Sequence, residues 1–371
     1  MKRPALLLTS LITVLAAGAV GVYFLQPQPA KNFCYLNMKQ LTCTNLYGEN
    51  PQNFNLPKIG GNQISVLSAA PNQSFYIASN NGPENTLLQP NVYLLDKNLK
   101  QVTQLSNLIG QDYDMASIKW SRDSKLVVIK SVYGSLTVYN TETGTQKQIT
   151  KDGVGFYGFT KDGRVAYASA VSNGNTAAKD SALYVVNVDG TGQKTVVTNT
   201  GVYAGSYALT KDDIALYHSG SKTYSIGLDG TNKQELKQLA VVPYDYFRYD
   251  ALTDRLYMAQ KKTGSAGIKS IAYGTTKDLL SGKVPVTVDV NSAISSGDTP
   301  FLIPLGSDTI VLAGNDIDRK AVIYSIKTGK LIKTINIPNQ FGPNYQQTGV
   351  GFQDTVPLIV GPVSTTKNFV Q

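Results

Sequence analysis

A β-propeller, an all-β fold of repeated four-stranded units, follows from three observations on this 371-residue chain. A unit of four short strands recurs every roughly 40–50 residues, the period of a propeller blade. Asp-Gly pairs and other polar turn clusters separate the apolar runs, which is hairpin chemistry. The composition is rich in Gly (33) and Tyr (22) and only 16% charged, and no long stretch has helical periodicity, as expected of many short strands and tight turns.

The first segment is of a different kind. Lys2 and Arg3 precede an uncharged run from Pro4 to Leu25, and about 20 such residues span a bilayer as a helix. Ala17-Gly18-Ala19 offers a small-residue cleavage site, but the run stays apolar beyond it through Val20, Val22, Phe24 and Leu25. Residues 1–25 therefore read as one uncleaved transmembrane anchor, with signal cleavage and secretion as the alternative. Tyr23 suits the outer interface, and the positive-inside rule places everything after Pro29 outside the cytoplasm, on the cell surface or in the periplasm. Gln26-Pro27-Gln28-Pro29 ends the helix, so 26–32 is a linker and 33–371 the propeller domain.

Cys34 and Cys43 are the only cysteines. A hairpin with Met38-Lys39 at its tip sets Asn37 against Gln40, Leu36 against Leu41, Tyr35 against Thr42 and Cys34 against Cys43. Counted outward from a two-residue turn, the cysteines form a non-hydrogen-bonded pair about 4.5–5.5 Å apart at Cα. That is within disulfide range, and an oxidising compartment would preserve the bond.

The clearest unit begins Ile118-Lys119-Trp120-Ser121-Arg122-Asp123-Ser124-Lys125 and continues through Leu136-Thr137-Val138-Tyr139-Asn140. Six full blades are expected at 62–106, 115–150, 154–198, 202–239, 243–290 and 297–337, the fifth the least regular. The cysteine hairpin and two strands through Val350-Gly351-Phe352 and Val356-Pro357-Leu358-Ile359-Val360 complete a seventh, two strands from each terminus. Such a seam removes the exposed edges.

Trp120-Ser121-Arg122-Asp123-Ser124-Lys125 resembles the W-S-P-D-G-K signature of TolB-type, WD40-like propeller repeats. Phe159-Thr160-Lys161-Asp162-Gly163-Arg164 is similar, and Ala208-Leu209-Thr210-Lys211-Asp212-Asp213 is a weaker copy. Ile323-Tyr324-Ser325-Ile326-Lys327-Thr328-Gly329-Lys330 resembles a YVTN-type repeat instead. The likeness covers residues 62–337 in pattern, with Arg122 in the place of the usual proline. It implies the fold and says little about function, because propellers host many roles.

Catalytic signals are sparse. No G-x-S-x-G elbow occurs, and the single histidine, His218, cannot build a histidine-rich metal site or an acid–base pair. No cofactor is expected. The net charge of +9 includes Lys2 and Arg3; the remaining excess is scattered, with no basic stripe or motif for nucleic acid. The segments linking one blade to the next are rich in aromatics. Tyr113, Tyr157, Tyr203, Tyr244, Tyr246, Arg248 and Tyr345 lie in or beside them, and in a propeller these links converge on one face. Tyr and Arg clusters suit recognition, while the same residues also begin the innermost strands and can pack the core. The expected function is a membrane-anchored binding module for an envelope protein or cell-wall polymer. The alternative is an extracellular propeller enzyme of hydrolase or lactonase type.

Overall fold

In a computed structural model of the chain, the described residues are 32–37, 40–45, 47–59, 62–70, 74–80, 91–105, 113–131, 134–151, 153–169, 181–198, 200, 207–239, 246–250, 253–261, 268–290, 301–305, 308–313, 320–336 and 358–359. The anchor and linker expectations fall on residues outside this set, save Asn32. Among the described residues no helix is long and apolar enough to cross a membrane.

The strands gather into antiparallel sheets that follow one another along the chain. The first holds β1 (Asn32–Asn37), β2 (Gln40–Asn45) and β3 (Gln52–Asn55). The second has five strands: β4 (Lys58–Ile59), β5 (Asn62–Ala69), β6 (Phe75–Asn80), β7 (Asn91–Asp96) and β8 (Gln101–Gln104). The third has β9 (Tyr113–Trp120), β10 (Leu126–Ser131), β11 (Leu136–Asn140) and β12 (Gln146–Gln148). The fourth has β13 (Val154–Phe159), β14 (Val165–Ser169), β15 (Ala182–Val186) and β16 (Lys194–Thr198). The fifth has β17 (Tyr207–Leu209), β18 (Ile214–Ser219), β19 (Lys222–Gly227) and β20 (Gln234–Glu235). The sixth has β21 (Tyr246–Asp250), β22 (Arg255–Lys261), β23 (Ile268–Thr275) and β24 (Val286–Asp289). The seventh has β25 (Phe301–Leu305), β26 (Thr309–Ala313), β27 (Lys320–Ser325) and β28 (Leu331–Asn336). The last strand, β29 (Leu358–Ile359), returns to the first sheet beside β1, in the order β29-β1-β2-β3.

The residues explain why the hairpins turn where they do. At the first turn of the third sheet, Ser121 Oγ donates to Asp123 Oδ1 (2.6 Å) and accepts from Leu126 N (2.9 Å). Asp123 Oδ1 also accepts from Lys125 N (3.1 Å). The fourth sheet repeats this with Thr160 donating to Asp162 (2.5 Å) and Asp162 accepting from Arg164 N (3.4 Å). In the fifth, Thr210 Oγ1 accepts from Ile214 N (3.1 Å). A hydroxyl followed two residues later by Asp closes the turn through its own side chains, which is what the repeated Ser/Thr-x-Asp segments encode. The sixth sheet departs from the repeat. Thr275 accepts from Asp278 N (3.1 Å) and caps a one-turn helix, Thr276–Leu280, between β23 and β24.

Successive sheets pack face to face. Ile77, Val92 and Leu94 of the second sheet meet Ile118, Val127 and Ile129 of the third. Val128 and Val138 of the third meet Val165 and Tyr167 of the fourth; Leu183 and Val185 meet Tyr207 and Tyr217 of the fifth. Leu216 packs on Phe247 and Met258 of the sixth, whose Tyr257 and Ile271 pack on Ile310 and Leu312 of the seventh. Full burial of an aliphatic side chain such as Leu94 stabilises by about 1.5–3 kcal/mol. The seventh sheet meets the first where Gly48, in the turn before β3, lies against Ile323, Lys333 and Ile335. Contact of β29 with β5 joins the first sheet to the second. The first strands of the sheets are neighbours too, β9 beside β13, β17 beside β21 and β21 beside β25, so they share one axis.

The β1–β2 register matches the expectation residue by residue, from Asn37 opposite Gln40 out to Cys34 opposite Cys43. The seam differs from the expected two strands from each end. Three strands come from the N-terminal side and β29 from the C-terminal side, while Val350-Gly351-Phe352 lies outside the described residues. The third strand, Gln52–Asn55, shows no apolar alternation because it is an exposed outer edge, fixed in part by Thr42 Oγ1 donating to Asn53 Oδ1 (2.7 Å).

Candidate binding face

The links between sheets feed the innermost strands, so those strands carry whatever the aromatic links present. Their residues alternate between the two faces of the sheet. On β21, Phe247 and Tyr249 turn toward the fifth sheet: Phe247 is buried and Tyr249 packs against the same cluster. Arg248 points the other way and is exposed. It is paired across the sheet with Tyr257, which is paired with Tyr273. The two tyrosine rings stack at 6.0 Å, and Arg255 lies over the Tyr273 ring at 5.6 Å.

The sequence-predicted residues separate on this basis. Tyr246 opens β21 two residues before Arg248, and Tyr113 opens β9; their side chains, with all of Tyr203, Tyr244 and Tyr345, lie outside the described residues. Tyr157 is in β13, but its ring is only 6% exposed and packs with Val128, Val154 and Tyr167. It serves the core in place of the ligand-facing role expected of it, because its alternation on the inner strand points it at the third sheet. The neighbouring Phe156 behaves similarly, stacking on the buried Tyr207 at 5.4 Å.

The opposite ends of the inner strands carry a belt that the sequence did not reveal. Arg122 donates from Nη2 to the carbonyl oxygen of Lys211 (2.8 Å), two sheets away. Lys161 N donates to Asp213 Oδ1 (2.7 Å), and Lys211 Nζ pairs with Asp254 Oδ2 (3.4 Å). The first turns of the third to sixth sheets are thus tied together. Arg122, the departure from the repeat signature, makes the longest-range tie, and nothing in the spacing of the motifs could show which turns meet.

Electrostatics distinguish the two regions. Surrounding protein pulls the Arg248 guanidinium below its ordinary value, partly offset by the nearby Asp250 carboxylate. Burial holds the Tyr249 hydroxyl well above the usual phenol range, and its hydrogen bond to Asp254 (2.8 Å) adds to this. The Tyr257 hydroxyl is buried, with Arg255 and Thr253 near it, and among the described residues it makes no hydrogen bond. His218 Nδ1 is hydrogen-bonded to Thr223 Oγ1 (3.1 Å) and its ring packs on Phe247 at 4.4 Å. Among the described residues no group of three His, Cys, Asp or Glu side chains converges to hold a metal.

No family model matches the chain, and no curated protein matches it. Solved structures do. The chain is similar to the tricorn protease with a TM-score of 0.55 at 11% identity, covering 84% of this chain and 34% of that one. It therefore spans about a third of the tricorn chain. It is also similar to the β-propeller domain of Myceliophteria thermophila Cps50 (Swd1), with a TM-score of 0.51 at 10% identity over 76% of this chain and 89% of that one. With the sheets and their shared axis, these likenesses establish the class: the fold is a β-propeller. At such low identity they speak for the fold alone.

Proposed function

We propose that the chain is a seven-bladed propeller of TolB-like repeats that acts as a protein- or glycan-binding module at the cell envelope. Residues 1–25 hold it to the membrane, 26–32 form the stem and 33–371 the domain. The partner is an envelope protein or a cell-wall polymer. Seven sheets with sequential contacts support the blade count, and the Ser/Thr-x-Asp turns support the repeat type. The opposed positions of Cys34 and Cys43 support a disulfide stiffening the seam; the mass of the chain alkylated without reduction tests it, and two added alkyl groups would exclude it.

One observation carries the binding reading. β21 leaves Arg248 exposed beside Tyr246, at the end of a link that also holds Tyr244. Its test is capture of solubilised envelope material by the immobilised full chain, in wild type and in a Tyr244→Ala/Tyr246→Ala/Arg248→Ala variant. A component retained by wild type and lost by a variant of near-wild-type Tm is the expected result. Equal retention by both, or loss accompanied by unfolding, rejects this face and returns its residues to the core.

A further inference from the structure

Among the described residues, the only carboxylate acting on the Arg248 cation is Asp250. Among the described residues its guanidinium makes no hydrogen bond and no ion pair. That carboxylate, on the same face of β21, offsets the charge only in part and is shared: Thr253 donates to its Oδ2 (2.5 Å), and Asp250 stands opposite Arg255 in the sheet. The corresponding faces of the two preceding inner strands carry Gly158 and Ala208, residues without charge or reach. Arg248 is thus a long, forked donor at a position where neighbouring sheets are small. It is open to solvent, yet enclosed enough by protein for its charge to be partly desolvated. A guanidinium in that setting retains five N–H donors in a fixed plane, matched to two oxygens of one anion.

Resting on the binding reading above, we infer that Arg248 is an anion-recognition point on the inner wall of the propeller, and that the ligand docks there through a carboxylate or phosphate group. The fork takes such a group in bidentate fashion, and partial desolvation strengthens the contact relative to an exposed surface pair. The contact therefore weakens with added salt less than exposed charge pairs do.

The test uses the full chain in detergent with inorganic phosphate and with acetate as probes. Calorimetric titration is run on wild type, Arg248→Gln, Arg248→Lys and Arg255→Gln. Arg248→Gln is expected to weaken anion binding by about tenfold or more, Arg248→Lys to restore part of it, and Arg255→Gln to leave it intact. Tighter binding of phosphate assigns a phosphate-bearing ligand, and tighter binding of acetate a carboxylate-bearing one. Protection of Arg248 from phenylglyoxal by either anion, read by peptide mass spectrometry on wild type, gives an answer even where a variant does not fold. Absence of binding and of protection, or equal binding by Arg248→Gln, overturns the anion site. Loss of partner capture with anion binding intact would instead remove the envelope reading and leave the site standing.

Discussion

Asp123 and Asp162 sit in equivalent turns and respond alike to their surroundings. The hydrogen bond from Ser121 is the main influence holding the Asp123 carboxyl below its usual range. At Asp162 desolvation pushes upward, but Thr160, the backbone at Arg164 and the Arg164 charge outweigh it. A depressed carboxylate contributes stability above its unfolded value, near ~4, and that contribution fades as pH falls through the folded value. The buried phenols act at the other limit. Tyr167 is pushed up to about 12 by burial and then by Tyr184, and Tyr217 to about 12 by burial and then by Tyr224. Their stabilisation is complete below about pH 10 and is lost as pH rises toward 12. Urea midpoints measured across pH should therefore fall at both ends. Asp123→Asn/Asp162→Asn should flatten the acid limb, and an unchanged limb would exclude these turns as its origin.

At the scale of the element, turn glycines separate strain from contact. Gly163 has φ +86° with nothing near an added Cβ, whereas at Gly329, φ +68°, a Cβ would overlap the Asp289 carbonyl oxygen and crowd Val288. Gly163→Ala should cost about 1 kcal/mol, the conformational term alone. Gly329→Ala should cost about 3 kcal/mol or more, because the seventh sheet must retreat from β24. Equal losses in urea would mean that the sheets are not in contact there. The same distinction explains what the sequence disclosed. Hairpins were legible because period-two apolar runs and Ser/Thr-x-Asp turns are local signals, so the β1–β2 register could be counted from the turn. Gln52–Asn55 was hidden because Gln52, Asn53 and Asn55 are polar and exposed on an outer edge, so no apolar alternation marks the strand. The candidate binding residues were only partly legible: the sequence placed Tyr157 and Arg248 in or beside similar links, and strand phase then pointed Tyr157 into the core while leaving Arg248 exposed. Strand phase within an aromatic-rich stretch has no sequence marker when both faces carry large side chains.

For the molecule as a whole, the joint between first and last sheets rests on one short strand. β29 offers only two residues, yet it covers the open edge of β1 and touches β5. Ending the chain at residue 357 should lower Tm by several degrees and promote self-association, since an unpaired strand edge recruits other chains. The change is measurable by calorimetry and light scattering. A truncated chain as stable and monomeric as wild type would show that the ring is held by packing between sheets, with β29 incidental.

The pairing of Cys34 with Ile359 and of Tyr35 with Leu358 also sets an order of events during synthesis. β1 waits for β29, more than 300 residues further along the chain. Until then β1 has no inner neighbour, while every later sheet can zip up from consecutive hairpins as it emerges. Contacts so distant in sequence are slow to form. The closing event is therefore expected to be a late phase of maturation, and the nascent protein is most vulnerable to proteases and to mispairing just before β29 arrives.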